Sequence, residues 1–346
     1  MKKLLSLGLI VLSIIALLAP TAALAAKPGG NQAELNSLLV TAADLHLSRQ
    51  GTYSGIPDTW EWKIGSFAGY WNVVGISATG LLAAYEKTGD TDYLDGAILT
   101  GNTLVANYDA ITSRPYSQDI EFLARLAADS GDPSFLTKAA SYYSRVTGAF
   151  TAVENADRYI NARLSLAGWD LASQIRAAVA VGNTDYATGM VTRLIERRVD
   201  WEDAPYGGWN YTTVSHASLL WALRDLSNTS FSAYTDEIRT SLLAAQETGG
   251  SWDGGDYQTT AYAILGLDRP RTPATSSASA EAWVFLRDNN TAGGWLYSGT
   301  EYGEVNSEVI MALGILNLDE GKKLGHTDPN PDNGNDSGNH PLIPEP

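Results

Sequence analysis

The sequence predicts an all-α fold, an (α/α)6 toroid in which six helical hairpins set an inner and an outer ring of helices about one axis. Three observations predict it. Apolar residues recur at helical spacing without sustained period-2 alternation, two kinds of helical stretch alternate, and the pair repeats at an interval of about 44 to 51 residues.

The repeat is plainest in the second half of the chain. Gly207-Gly208-Trp209 leads into Ser215-His216-Ala-Ser-Leu-Leu-Trp-Ala, Gly250-Ser251-Trp252 into Thr259-Thr260-Ala-Tyr-Ala-Ile-Leu-Gly, and Gly293-Gly294-Trp295 into Ser307-Glu308-Val-Ile-Met-Ala-Leu-Gly. Looser copies run from Val73 to Tyr85, Asp119 to Asp129 and Asp170 to Val181. These six stretches are rich in Ala, Gly, Ser and Leu on nearly all faces, which suits a buried inner ring. Each follows a more polar amphipathic stretch, at 31–48, 90–108, 133–149, 184–198, 231–246 and 276–288, whose charged face suits an outer ring. Starts such as Thr91-Asp92 and Asp132-Pro133, and stops such as Gly131 and Gly182, agree with capping rules.

The ends of the chain differ from this middle. Met1, Lys2 and Lys3 precede an apolar run from Leu4 to Leu18, and Ala23-Leu24-Ala25 has the small-x-small form of a cleavage site, so residues 1–25 read as a secretory signal peptide. The toroid is expected over 26–320. Residues 321–346, Pro-, Asn-, Asp- and Gly-rich from His326 onward, read as a flexible tail with nothing to form a core. Spaced Asp and Asn oxygens there could ligate calcium, but the closing Glu of an EF-hand loop is missing, and no cofactor is expected. The chain has 346 residues, no cysteine and a formal charge of −16. An exported protein without cysteine depends on packing rather than disulfides. So acidic a chain with no basic stripe excludes nucleic acid as a partner; a monomer with no membrane association after leader removal is expected.

Gln246-Glu-Thr-Gly-Gly250-Ser-Trp252 forms a Q-x-x-x-G-x-W pattern, with degenerate copies at Asp203, Gly207 and Trp209 and at Asn289, Gly293 and Trp295. It resembles the QW motif of the terpenoid cyclase and protein prenyltransferase α/α-toroid superfamily, which includes the squalene cyclases. The resemblance implies structural roles for Gln246, tying a helix end to a neighbouring turn, and for Trp252, stacking beside it. Its chemistry does not carry over: Gly254-Gly-Asp256-Tyr-Gln stands without a D-x-D-D acid run, and a chain with no cysteine lacks the zinc set of the prenyltransferases.

In a toroid the first turns of the inner helices share one mouth, so residues distant in sequence become neighbours. The repeat alignment gathers Asp119, Glu121, Asp170, His216, Thr260 and Glu308 there, with Asp256 and Glu304 from the preceding loops. Converging carboxylates and a histidine suit general acid and base catalysis, and Asp119, Asp170, His216, Asp256, Glu304 and Glu308 are the candidate catalytic groups. Capping explains Asp119 and Asp170 equally well, and a core position His216.

Aromatic residues with polar tips dominate, 10 Trp and 17 Tyr against 6 Phe, which suits sugars better than polyisoprene. Trp60, Trp62, Tyr70, Trp71, Tyr159, Tyr211, Tyr257 and Tyr302 are the candidate substrate-binding rings, although repeat packing is the competing role for the tryptophans. Arg158, Tyr159, Arg163 and Arg176 could serve elimination on an acidic sugar, but salt bridging between helices fits the arginines of an acidic protein better. The expectation is a secreted toroid that binds and cleaves an extracellular polysaccharide, as a glycoside hydrolase or a lyase. An isoprenoid-acting toroid and a non-catalytic surface binding module are the alternatives.

Overall fold

Short polar residues open half of the helices, and glycines close several of them. The computed structural model describes residues 31–111 and 115–318, so the leader and tail lie outside the described residues. Asn31 accepts the Ala33 N–H and opens α1 (Gln32–Ser48), which a hairpin of β1 (Gly51–Tyr53) and β2 (Ile56–Thr59) separates from α2 (Val74–Thr88). Asp90 opens α3 (Thr91–Ala110), α4 (Ser117–Ser130) ends on left-handed Gly131, and Asp132 with Pro133 opens α5 (Pro133–Thr147). A Thr151–Glu154 capping box starts α6 (Ala152–Arg163), followed by α7 (Ala167–Ala180), α8 (Thr184–Glu196) and a single turn, α9 (Arg198–Trp201). Then come α10 (Thr212–Leu226), α11 (Ser232–Ala244), α12 (Tyr257–Leu267) and α13 (Pro273–Asp288). The small antiparallel sheet β3 (Asn290–Thr291), β4 (Gly294–Tyr297) and β5 (Thr300–Glu301) leads into α14 (Gly303–Ile315).

Helices α2, α4, α7, α10, α12 and α14 pack each against the next, and α14 closes on α2, so the inner ring is complete. Small residues permit the approach. At the closing seam the Ser307 hydroxyl takes the Gly80 N–H at 2.9 Å and reaches the Ile76 carbonyl at 2.7 Å, and a Cβ on Gly80 would sit 2.4 Å from that oxygen. Outside lie α1, α3, α5, α8, α11 and α13, as the repeat predicts. The sixfold count misses α6: the third outer stretch ends at Gly148, and an additional helix packs on α7 and α8.

Four buried tryptophans tie loop to outer ring by one device. The indole N–H groups of Trp60, Trp201, Trp252 and Trp295 donate to the carbonyls of His46, Leu194, Leu242 and Leu286 at 2.6, 3.0, 2.8 and 2.9 Å. Each acceptor is the third residue from the end of its outer helix, where carbonyls lack intrahelical partners. The Gln246 side-chain amide donates to the Gly250 carbonyl at 3.0 Å and to the Ala278 carbonyl within α13 at 2.9 Å. The alignment on Trp209 needs correction: Trp209 is 70% exposed at a turn tip, and Trp201 holds the repeat position.

The ring axis is filled midway. Arg176, buried on α7, pairs with Glu121 of α4 at 3.0 Å and lies 3.9 Å over the Trp221 ring, which adjoins Tyr262. Arg176 therefore bridges helices. Among the described residues no helix is long and apolar enough to cross a membrane.

Candidate active site at the mouth of the ring

The N-terminal ends of the inner helices open on a cavity of about 630 Å3. Two segments without helical character build its outer wall. Ser54-Gly55, Ala292-Gly293 and Ser298-Gly299 all have positive φ at both residues, the backbone that joins tightly twisted hairpins, and they turn β1 into β2, β3 into β4 and β4 into β5. The loop after β2 then lies along the sheet, with the Ile64 N–H on the Glu301 carbonyl at 2.9 Å and the Gly303 N–H on the Trp62 carbonyl at 3.0 Å. An ion pair from Arg49 to Glu301 holds the sheet to α1.

That register brings Trp62 to the opening, 41% exposed, with ring centroids of Tyr302 and Tyr70 at 5.2 and 5.8 Å. Tyr257, stacked on Phe285, and Trp169 at the start of α7 complete an aromatic lining, with Tyr297 at the rim. Stacked and edge-on rings with hydrogen-bonding tips give flat surfaces for a ligand that has apolar faces and hydroxyls.

Two carboxylates face this cavity, Asp256 and Glu304. Asp256 caps α12 by accepting the Thr259 N–H at 2.6 Å. Burial pushes the Glu304 carboxyl up to about 7, against a hydrogen bond from Trp62 that favours ionisation. One turn deeper on α14, Glu308 is fully buried; burial, and then the neighbouring Glu304 charge, hold it well above the ordinary carboxylate range. Its Oε2 accepts from Gln258 at 2.8 Å, Tyr262 lies beside it, and among the described residues Oε1 has no partner at hydrogen-bond geometry. The pair thus holds protons near neutral pH beside an open cavity.

The remaining candidates are not at the cavity wall. Asp119 is sealed between α2 and α4, where it accepts the Gly75 N–H at 2.8 Å and the Tyr108 hydroxyl, and burial raises it to about 7. It is a strap, because Tyr108 and α2 cover the end of α4. His216 is buried against Trp201 and meets Glu202 at 3.2 Å. Asp170 adjoins the lining residue Trp169 but pairs with Arg163 at 3.3 Å; burial brings it to about 6, opposed by that arginine. Trp60 is core, stacked on His46. Trp71 faces a separate shallow cleft with Pro57 and Asn102. Tyr159 packs half-buried on α6, and Tyr211 stands beside Tyr206. Arg158 covers the Phe150 ring on the outside.

Sequence reasoning missed Asn72, Trp169 and Gln258, and it left Tyr297, one of the rings crowding the later loops, out of the candidate set. Trp169 precedes an aligned first-turn residue and Tyr297 follows Trp295 by two on a strand, so both carried a positional signal. Among the described residues no group of three or more His, Asp or Glu side chains is placed to hold a metal ion. The tail considered for calcium lies outside them.

No family model matches the sequence, and no curated protein matches it. Solved structures do resemble the fold. An inactive variant of the GH76A α-1,6-mannanase from Salegentibacter sp. HEL1_6, bound to α-1,6-mannotriose, superposes with a TM-score of 0.59 at 12% identity, over 81% of this chain and 98% of its own. The unsaturated glucuronyl hydrolase of Bacillus sp. GL1, responsible for degradation of glycosaminoglycan, gives 0.55 at 16% identity, over 82% and 96%. A polysaccharide lyase gives 0.57 at 12% identity, over 86% and 99%. At such identities the likeness establishes the α/α-toroid and nothing about residues.

Proposed function

We propose that this is an exported protein that binds an extracellular polysaccharide across the aromatic mouth and hydrolyses it there. The observation that carries the reading is Glu304, a carboxyl held protonated up to about pH 7 in a cavity that a second carboxylate, Asp256, also faces. In this mechanism Glu304 gives its proton to the glycosidic oxygen as the bond from the anomeric carbon breaks. Asp256 takes a proton from the water whose oxygen forms the new bond, and Trp62, Tyr302 and Tyr257 hold the flanking sugars. The fold neighbours named as mannanase, glucuronyl hydrolase and lyase act on sugars within the same architecture, which supports a glycan as ligand. The isoprenoid alternative gains nothing from a mouth of tyrosines and carboxylates.

Reducing-end release from a panel of neutral and acidic polysaccharides tests the reading. Release by the parent protein, reduced at least about a hundredfold in Glu304→Gln and Asp256→Asn but far less in Asp170→Asn, is the expected result. Retention of a polysaccharide with no release from any member of the panel would leave a binding module and remove the hydrolase.

A further inference from the structure

We infer that the glycan taken by this mouth is uncharged, and that uronate-bearing chains are turned away; the inference rests on the glycan reading above. Among the described residues the cavity wall carries Asp256 and Glu304 and no Lys, Arg or His. Three arginines nearby are already paired with carboxylates of the protein itself: Arg163 with Asp170 at 3.3 Å, Arg49 with Glu301, and Arg176 with Glu121 at 3.0 Å in the filled axis below; Lys63, bridged to Tyr302, is exposed beside the mouth and is not part of the cavity wall.

Helix N-termini could have supplied the missing positive charge, since inner helices α2, α7, α12 and α14 all start at this wall. On each of the four, one first-turn N–H group is already occupied by an acceptor of the protein. Gly75 donates to Asp119 at 2.8 Å, Trp169 to the Ser215 hydroxyl at 3.0 Å, Thr259 to Asp256 at 2.6 Å and Gly303 to the Trp62 carbonyl at 3.0 Å. A uronate in the cavity would therefore meet the Asp256 carboxylate, joined by Glu304 once pH rises past about 7, with no counter-charge on the cavity wall, in a protein that is already strongly acidic. Hydroxyl groups suffer no such conflict: the tips of Tyr70 and Tyr302, with Asn72 and Gln258, offer them donors and acceptors. Elimination across a uronate would also require its carboxylate to be neutralised, and the wall offers no side chain for that.

Affinity electrophoresis through gels carrying neutral mannan, xylan or glucan, or alternatively polygalacturonate or alginate, separates the outcomes. The parent protein is expected to be retarded by at least one neutral polymer, to lose that retardation as Trp62→Ala, and to bind either polyuronate at least tenfold more weakly, most clearly at low ionic strength. The double variant Glu304→Gln/Asp256→Asn should narrow that gap. Retardation by a polyuronate that disappears in Trp62→Ala would overturn the charge selection while leaving the glycan reading intact. Retardation by neutral polymers that survives Trp62→Ala would place binding elsewhere and overturn it too. Retardation by none of the polymers would sink the glycan reading itself, and this inference with it.

Discussion

The two ends of the inner ring differ in what their charged side chains touch. At the C-terminal end, a cleft of about 860 Å3 exceeds the mouth in size and is lined by Lys87, Arg224, Arg239 and Arg271 among others. Those cations serve the fold. Lys87 reaches the Leu316 carbonyl at 2.9 Å, Arg224 the Leu265 carbonyl and Arg271 the Ile315 carbonyl, both at 3.1 Å, which complements the carbonyls and partial negative charge at helix C-termini. Arg224 and Arg271 also share Asp268. At the mouth, by contrast, Glu304 faces open space, and Glu308 behind it has one oxygen with no partner at hydrogen-bond geometry among the described residues. Cavity size is thus a poor guide here, and the state of the polar groups lining it is a better one.

Substitutions at the two ends should therefore act on different observables. Glu304→Gln is expected to lower the rate of glycan hydrolysis about a thousandfold with the fold intact, read by reducing-end release alongside circular dichroism. An equal loss from Arg224→Ala at the far end would break the comparison.

The pH dependence of stability sharpens it. A carboxyl whose folded-state pKa lies above its unfolded value contributes stability that is fully present below the unfolded value and lost as pH rises through the folded one. For Glu304 that window runs from the ordinary glutamate value of 4.5 to about 7. Relative to the parent, Glu304→Gln should gain up to about 3 kcal/mol between pH 4 and 8, so the difference in Tm between the two proteins grows across that range. A constant difference would remove the argument for a buried, protonated Glu304.

Arg224→Ala should cost about 1 to 2 kcal/mol in denaturant unfolding, the loss of carbonyl and ion-pair contacts, and leave the rate unchanged. The smallest effect is expected at the rim: Trp62→Ala should raise KM or Kd for an oligosaccharide about tenfold by removing one stacking face, with little change in kcat.

Much of this arrangement was legible in the residues, and the exceptions share a cause. Helix type, order and the closing of hairpins into a ring follow from local periodicity and capping, which is why Thr91-Asp92, Asp132-Pro133 and Gly131 mark true boundaries. Side-chain roles at the first turns did not follow in the same way. Asp119 and His216 hold aligned places in the repeat, with Glu304 four residues ahead of the aligned Glu308, yet Tyr108 covers the first, Glu202 and Trp201 engage the second, and Glu304 is left facing the cavity. Trp201 and Trp209 stand eight residues apart around one turn, one sealed and one in solvent, and the Gly-Gly-Trp alignment selected the wrong one. The strands of the wall were missed because β1–β2 and β3–β5 are too short for a period to register, although their X-Gly turns were visible.

Local chain chemistry, acting over three or four residues at a time, was sufficient to dictate the helices, their pairing and the acidic, tyrosine- and tryptophan-rich character of the protein. Which end of the ring is open, and which carboxyls reach it, depended on two irregular segments that meet from opposite ends of the chain, at Trp62 and at Tyr302. Such contacts are fixed by packing between distant residues and by the water they exclude. The desolvation that separates Glu304 from an ordinary surface glutamate therefore exists only once the ring has closed.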